Sequence, residues 1–197
     1  VRVPRADALV NALKRLADGS VEKFKARLVA DGTSQRAGID YFRTFSTVVK
    51  AVTIRLILIL AALLDLNLTS IDIRQAYLQA SLTTVIYMQV PPGLPTTVDG
   101  DPVVCKLNRS LYGLKQAGRE WATLLTSFLL EYGFVRSTID TCMYVLRRAS
   151  ALLYVLVWVD DCIIADNSPR LRTAFVTDLS KRFPVEDKSD LTWILGV

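Results

Sequence analysis

The chain has 197 residues, of which 51% are hydrophobic and 22% charged, with a formal net charge of +5 and no histidine. This composition excludes a disordered or low-complexity protein, and the length suffices for one domain or two small ones. Because histidine is absent, any chemistry would depend on carboxylates, Lys, Arg, Tyr or bound metal ions. The longest apolar run, residues 56–64, is shorter than the ~20 residues of a membrane span.

The ends and the cysteines indicate the cellular setting. The first residues lack both an initiator methionine and a signal-peptide core, so we expect a piece of a longer intracellular polypeptide that is not secreted. Cys105, Cys142 and Cys162 are widely separated and odd in number. We therefore expect reduced thiols, without a disulfide framework or a zinc site.

The N-terminal part predicts a β-hairpin. Residues 10–31 alternate in polarity around Asp18-Gly19, a dipeptide typical of tight hairpin turns. In the second arm, Lys23, Lys25 and Arg27 fall on one face, because strand side chains alternate with period two. Two interpretations are open: an ordinary solvated strand face, or a clamp for phosphates.

The next segments predict a helix, two strands and a loop. Residues 52–66 are apolar nearly all round and predict a buried helix. Residues 68–74 alternate as a strand and place Asp72 between two isoleucines. Residues 85–90 predict a further strand, and residues 91–103 hold four of the seven prolines and predict a loop.

The C-terminal half predicts two helices among strands. Apolar residues spaced three and four apart between Trp121 and Tyr132 predict an amphipathic helix, which Gly133 would end. Residues 141–147 predict a strand, Ser168-Pro169 would begin another helix, and residues 193–197 predict a last strand.

Two adjacent aspartates, Asp160 and Asp161, interrupt the apolar run of residues 151–165. Strand composition and a tight turn at the aspartates predict a hairpin with arms 152–159 and 162–165. Burying a carboxylate costs several kcal/mol unless a cation or hydrogen-bond donors replace water. The pair is therefore either the ligand set of a divalent metal or a polar hairpin tip.

The order of these elements gives a βαββαβ pattern. In such a sheet the first and third strands can be neighbours, which would bring Asp72 close to Asp160. With Asp161, three carboxylates could then share two Mg²⁺ ions, the arrangement that phosphoryl and nucleotidyl transfer require. The cations of the N-terminal hairpin would neutralise a triphosphate.

An ordered series of motifs resembles a known family, the reverse transcriptase domain of copia-type LTR retrotransposons. The resemblance covers residues 19–197 approximately and implies an α+β right-hand polymerase with fingers and palm. The palm would be a βαββαβ ferredoxin-like antiparallel sheet with helices on one face, and the thumb would be absent or truncated. It further implies an N-terminal hairpin and fingers in residues 1–66, and a palm in residues 67–197 with a fingers-like insertion around 85–117. The motifs are S-V-E-K-F-K-A-R-L-V-A, G-I-D-Y, T-F-S-T-V-V-K, I-D-I-R-Q-A-Y-L-Q, I-Y-M-Q-V-P-P-G, C-K-L-N-R-S-L-Y-G-L-K-Q-A, W-V-D-D and I-L-G-V.

The resemblance implies roles for particular residues. Asp72 and Asp160 would bind two Mg²⁺ ions, or Mn²⁺ in their place, with Asp161 assisting. Tyr77 would pack under the incoming sugar and reject a 2′-hydroxyl; the alternative is an ordinary core aromatic. Gln116 would contact the incoming nucleotide; the alternative is a solvated residue before a helix.

The same resemblance implies a triphosphate contact and a primer contact. Lys25 or Arg27 would bind the triphosphate, and the sequence leaves the choice open. Trp158, Leu195 and Gly196 would lie at the primer terminus.

The implied function is an RNA-directed DNA polymerase that extends a primer on an RNA or DNA template with deoxynucleoside triphosphates. Its partners would include the integrase and RNase H of a Pol polyprotein, in cytoplasmic particles or the nucleus, with no membrane. Three places depart from the family pattern: Trp158 replaces the usual Tyr before V-D-D, Gly118 replaces a usual Pro, and residues 31–35 replace a segment that usually carries a basic residue and Phe. The alternative is therefore a catalytically decayed remnant that binds nucleic acid without being an enzyme.

Overall fold

The structure, a computed structural model, describes residues 6–15 and 19–190. It divides into two compact units, each built from two separate segments of the chain. Unit 1 contains the chain up to Phe45 together with Tyr77–Trp121, and unit 2 contains Ser46–Ala76 with Ala122–Val197. This division assigns residues 46–66 to the second unit, whereas the sequence placed a boundary after residue 66. In the described residues, no helix is long and apolar enough to cross a membrane.

The secondary structure mixes α and β elements, as expected for an α+β fold. The strands are β1 (Ala6–Arg15), β2 (Val21–Ala30), β3 (Asn67–Ile73), β4 (Tyr87–Gln89), β5 (Thr97–Val98), β6 (Asp101–Pro102), β7 (Val104–Lys106), β8 (Val135–Arg136), β9 (Met143–Arg148), β10 (Ala151–Trp158), β11 (Asp161–Asp166) and β12 (Val185–Asp190). The helices are α1 (Ala51–Leu64), α2 (Ala76–Gln79), α3 (Ala117–Tyr132) and α4 (Pro169–Arg182), with a short 3₁₀ turn at Gly32–Ser34.

Unit 2 is built on a six-stranded antiparallel sheet with the order β12-β3-β11-β10-β9-β8. Its central strands are buried on both faces, since Leu153 and Val155 are as inaccessible as their alternating neighbour Leu156. Helix α1 supplies Ile54 and Ile57 to the cluster around Leu156, and α4 contacts β10, β11 and β12. The face that carries Leu153 and Val155 is also covered, as nearly continuous apolar strands require. The placement of helices on one face only stays a prediction.

Helix α1 lies close to its predicted bounds, but it is not a buried helix. Ile57 is 1% exposed, whereas Val52 and Leu63 are 69% and 74% exposed. One stripe of the helix thus packs on the sheet and the opposite stripe faces solvent. The sequence could not show this, because apolar residues on both stripes remove the periodic signal.

Helices α3 and α4 agree with the capping signals in the sequence. Gly133, just after α3, has φ +106°, and Phe134 N–H bonds to the Leu129 carbonyl, as in a glycine-ended helix. The side chain of Ser168 caps α4 by accepting a hydrogen bond from Leu171 N–H. Helix α3 begins at Ala117, although position 118, where the resemblance implies Pro, is Gly118.

Unit 1 contains the β1–β2 hairpin, the β4–β7 pair and a small β5–β6 pair within the segment predicted to be a loop. The hairpin predicted from residues 10–31 is confirmed. A second apolar cluster, which includes Ala30, Met88 and Leu114, forms the core of this unit. The predicted last strand, residues 193–197, lies outside the described residues.

Candidate active site

The two adjacent aspartates lie at the tip of the β10–β11 hairpin. Trp158 pairs with Asp161 across the hairpin, which leaves Val159 and Asp160 as the turn residues. Val159 has φ +57°, which is uncommon for a β-branched residue. Two-residue hairpin turns require such a positive φ. The tip is also joined to β3, because Ile73 N–H donates a 2.8 Å hydrogen bond to the Asp160 carbonyl. The predicted hairpin is thus confirmed, but its turn lies one residue earlier than predicted, because Asp161 belongs to β11. The turn is fixed by β3.

Asp72 lies directly opposite Asp161, because β3 and β11 are antiparallel neighbours in this register. A lysine from the edge strand β12, Lys188, bridges the two carboxylates. Its Nζ donates to Asp161 Oδ1 at 2.8 Å and to Asp72 Oδ2 at 3.3 Å. Lys188 lies within a register shift between β12 and β3, which falls between Asp187 and Asp190 and is the kind of irregularity that redirects a side chain. Two carboxylates from adjacent strands therefore share one cation.

The charges in this site act on their neighbours. Burial opposes the charged form of Lys188, but its hydrogen bond to Asp161 and the charges of Asp161 and Asp72 raise its pKa overall. The pKa of the Cys162 thiol is raised first by burial and then by the charges of Asp161, Asp160 and Asp72. Cys162 is therefore a neutral thiol beneath a negatively charged surface. Burial and negative charge both keep it from acting as a nucleophile.

The arrangement suits a divalent cation. Carboxylate oxygens are the ligands that Mg²⁺ prefers, and the Lys188 ammonium stands in for a cation between two of them. The side chains of Asp72 and Asp161 are 25% and 35% exposed, so ions can reach them from solvent. Within residues 6–15 and 19–190, no three Asp, Glu, Cys or His side chains are already arranged as a metal site. A metal site formed by all three carboxylates thus stays a prediction, while the arrangement of Asp72 and Asp161 is suited to one divalent ion.

The residues predicted at the primer terminus are only partly described. Trp158 is half-buried and packs against the apolar cluster that contains Leu156 and Ile163. Leu195 and Gly196 lie outside the described residues. The primer contact therefore stays a prediction for all three.

The two candidate triphosphate cations have different surroundings. Lys25 is exposed and lies opposite Ala12 on the neighbouring strand. Arg27 is half-buried, and its guanidinium carbon lies 5.3 Å from the ring centroid of Tyr112. The Tyr112 ring in turn lies 5.0 Å from that of Tyr77, with an angle of 53° between the ring planes. Arg27 and Tyr77 are thus linked through Tyr112, whereas Lys25 lies on an exposed part of the hairpin.

Gln116 is 3% exposed, so the interpretation of a solvated residue is wrong. Its Nε2 donates to the Asp40 carbonyl at 3.0 Å, and its Oε1 accepts from Gln35 Nε2 at 3.0 Å. Gln35 in turn accepts a 2.8 Å hydrogen bond from Lys115 N–H. In this structure both ends of the Gln116 amide are engaged by protein groups, and its contact with a nucleotide stays a prediction.

Sequence reasoning missed Lys188 and Tyr112. Lys188 lies in the polar run V-E-D-K-S-D, which has no alternation to indicate a strand. Tyr112 was visible within the motif S-L-Y-G-L-K-Q, but its neighbours Arg27 and Tyr77 are far away in sequence. Only the folded chain brings Tyr112 together with Arg27 and Tyr77.

An antiparallel sheet that presents two carboxylates to one cation at a hairpin tip is suited to metal-dependent phosphoryl or nucleotidyl transfer. The chain belongs to the family described as "Reverse transcriptase (RNA-dependent DNA polymerase)", whose sequence profile matches residues 4–197. The resemblance read from the motifs is thereby confirmed.

Several curated relatives are retrotransposon polyproteins. The chain is 44% identical over 180 residues to the retrovirus-related Pol polyprotein from transposon RE1 of Arabidopsis thaliana, covering 91% of this chain and 12% of that protein. The polyprotein from transposon TNT 1-94 of Nicotiana tabacum is 39% identical over 186 residues, covering 94% of this chain and 14% of that protein. The chain thus spans a small part of these relatives. No solved structure matches it.

Proposed function

We propose that this chain carries out RNA-directed DNA synthesis, with Asp72, Asp160 and Asp161 as ligands of two divalent metal ions. Unit 2 would be the palm and unit 1 would belong to the fingers of a right-hand polymerase. The observation that carries the proposal is the Asp72–Asp161 pair, whose carboxylates converge on one ammonium group. When bound, the metal ions would stabilise charge on the attacking and leaving oxygens.

The protein's own residues would divide the remaining work. Arg27 would bind the triphosphate and Tyr77 would face the sugar of the incoming deoxynucleotide. A primed RNA or DNA template would be the second substrate. The chain's net charge of +5 is compatible with this polyanion.

Primer extension on poly(rA)·oligo(dT) with Mg²⁺ tests the proposal. We expect Asp160→Asn to lower dTTP incorporation by about a hundredfold or more, because the charge stabilisation that a metal supplies is worth several kcal/mol. Asp178→Asn is the matched control, since Asp178 lies on α4 and pairs with Lys181 at 2.7 Å. Equal incorporation by the Asp160→Asn protein would contradict the metal assignment.

The second candidate is a remnant that binds nucleic acid without catalysis. Two observations favour it: Trp158 in place of Tyr, and the Lys188 ammonium between the carboxylates. A wild-type chain that binds the primed template but incorporates no dTTP would support this candidate over the polymerase.

A further inference from the structure

Arg27, Tyr112 and Tyr77 form a chain of ring and cation contacts within unit 1. The Arg27 guanidinium lies over the Tyr112 ring at 5.3 Å, and the rings of Tyr112 and Tyr77 are 5.0 Å apart. A cation near a ring face is attracted by the ring quadrupole, and tilted aromatic pairs at this separation are favourable. Tyr112 therefore contacts both the candidate triphosphate cation and the candidate sugar-facing residue.

The backbone fixes Tyr112 against strand β2. Its carbonyl accepts a 2.8 Å hydrogen bond from Ala30 N–H, and it forms a parallel bridge with Val29. The next residue, Gly113, has φ +88°, and a Cβ there would lie 2.0 Å from the Ala30 carbonyl oxygen. Only glycine permits this approach, so the loop that carries Tyr112 is held in a fixed position relative to β2.

Exposure changes along β2 in a way that separates the two candidate cations. Phe24 is 86% exposed and Lys25 is exposed, whereas Ala30 is 2% exposed within the core of the unit. Arg27 lies between these ends, where the strand enters the core and meets the Tyr112 ring. A ring contact engages the face of a guanidinium and leaves N–H donors for phosphate oxygens.

We infer that Tyr112 is a positioning residue for the incoming nucleotide. It holds Arg27, rather than Lys25, as the cation that binds the triphosphate, and it supports the ring of Tyr77 from the adjacent side. This inference rests on the proposed function, because it assigns Arg27 and Tyr77 to the nucleotide.

Nucleotide binding by the 197-residue chain tests the inference with a fluorescent deoxynucleoside triphosphate, mant-dATP, and fluorescence anisotropy. We expect Tyr112→Leu to weaken binding about five- to thirtyfold, from the loss of a partly desolvated cation–π contact. Tyr112→Phe keeps the ring and should bind within about twofold of the wild type. In primer extension, the leucine variant should raise KM for dTTP more than it lowers kcat.

Coupling between residues separates positioning from a general loss of structure. In an Arg27→Gln background, Tyr112→Leu should change mant-dATP binding by less than about twofold, because the cation that it holds is gone. In a Lys25→Gln background, Tyr112→Leu should instead weaken mant-dATP binding by the same factor as it does in the wild type. Melting temperatures of all variants show whether any of them is unfolded at the assay temperature.

Tyr132→Leu is the matched control, because the Tyr132 ring also contacts a cation, Arg148, at 5.1 Å, but belongs to unit 2. It should leave mant-dATP binding unchanged. If the effects of Tyr112→Leu and Arg27→Gln are independent, or if Tyr112→Leu is coupled to Lys25→Gln instead, the inference is overturned but the proposed function is not. Failure of the wild-type chain to bind mant-dATP would instead contradict the proposed function.

Discussion

Lys188 is the residue whose position most affects the metal site, because it lies where a cation would bind. All three side chains of the bridge are partly solvent-exposed: 43% for Lys188, 25% for Asp72 and 35% for Asp161. Exposed ion pairs of this kind contribute about 0–1 kcal/mol. The lysine therefore competes with a divalent ion without excluding it.

Replacing this lysine tests the competition without any catalytic readout. We expect Lys188→Met to tighten Mn²⁺ binding about two- to fivefold, as measured by electron paramagnetic resonance of free Mn²⁺. Lys181→Met is the control, because Lys181 pairs with Asp178 on α4. Unchanged or weaker Mn²⁺ binding by Lys188→Met would show that the metal does not use the Asp72–Asp161 pair.

The cysteines give a second prediction at the residue scale. Burial and the nearby aspartates raise the pKa of Cys162, so little thiolate is present at neutral pH. Cys142 is also buried, and its pKa is raised chiefly by burial. Iodoacetamide followed by mass spectrometry should therefore modify the half-buried Cys105 first. Early modification of Cys162 would contradict the burial of β11.

The residues of the site also differ in how well they could be predicted from the sequence. Asp72 was predicted to lie close to Asp160, because the first and third strands of a βαββαβ sheet can be neighbours. The strands are neighbours, but the residue directly opposite Asp72 is Asp161. Lys188 could not be predicted, since its strand pairs with β3 at a sheet edge and has no apolar alternation. For Gln116 the alternative of a solvated residue could not be excluded from the sequence, because its partners, Gln35 and Asp40, come from a distant loop.

At the scale of elements, the start of α1 depends on a residue outside the helix. Its N-cap residue, Lys50, makes no capping hydrogen bond with its side chain. Asp140, which is 3% exposed, instead accepts hydrogen bonds from Lys50 N–H at 2.9 Å and from Thr53 Oγ1 at 2.6 Å. It also accepts a 3.0 Å bond from Cys142 N–H, which fixes the start of β9. One carboxylate thus joins α1 to the sheet.

Removing this carboxylate should destabilise the protein. We expect Asp140→Ala to lower the free energy of unfolding by about 2–4 kcal/mol, because two buried donors and one partly buried donor lose their acceptor. Urea denaturation followed by circular dichroism measures the change. Asp65→Ala, at the other end of α1, is a comparison that leaves these donors satisfied. A loss below about 0.5 kcal/mol would show that α1 does not depend on this cap.

The same carboxylate predicts a pH dependence with a definite sign. Burial alone would raise the pKa of Asp140, but the hydrogen bonds from Thr53, Lys50 and Cys142 lower it overall. Its stabilisation is therefore complete above the ordinary carboxyl pKa of about 4 and is lost as the pH falls through the lowered value. The stability difference between wild type and Asp140→Ala should shrink below about pH 4 and stay constant from pH 5 to 8. A difference that grows in acid would have the wrong sign.

At the scale of the whole molecule, the chain passes three times between two units, a division that no boundary in the linear sequence reveals. Residues 46–66 were expected to belong with the N-terminal hairpin, yet Val49 and Ile57 pack in the core of unit 2. Apolar residues show that a segment is buried, but they do not show which of two cores buries it. The bounds of α1 could thus be predicted from the sequence, and its partner could not.

The distribution of charge over the molecule predicts how it binds a polyanion. Lys23 and Lys25 lie on the exposed part of the β1–β2 hairpin, within a chain of net charge +5. Each lysine that neutralises a phosphate releases counterions, so binding weakens as salt rises. Plotting the logarithm of the association constant for a primed RNA template against the logarithm of KCl concentration should give a line of negative slope. Replacing both lysines with glutamine should reduce that slope by about two units, or about one per phosphate contact.

A charge change elsewhere provides the control for this measurement. Lys181→Gln removes one positive charge from α4, where the lysine pairs with Asp178, and should leave the slope within about 0.3 of the wild-type value. If both substitutions at the hairpin also leave the slope unchanged, these lysines belong to an ordinary solvated strand face. A reduced slope for the hairpin variant alone would support the phosphate clamp and place the template on that face.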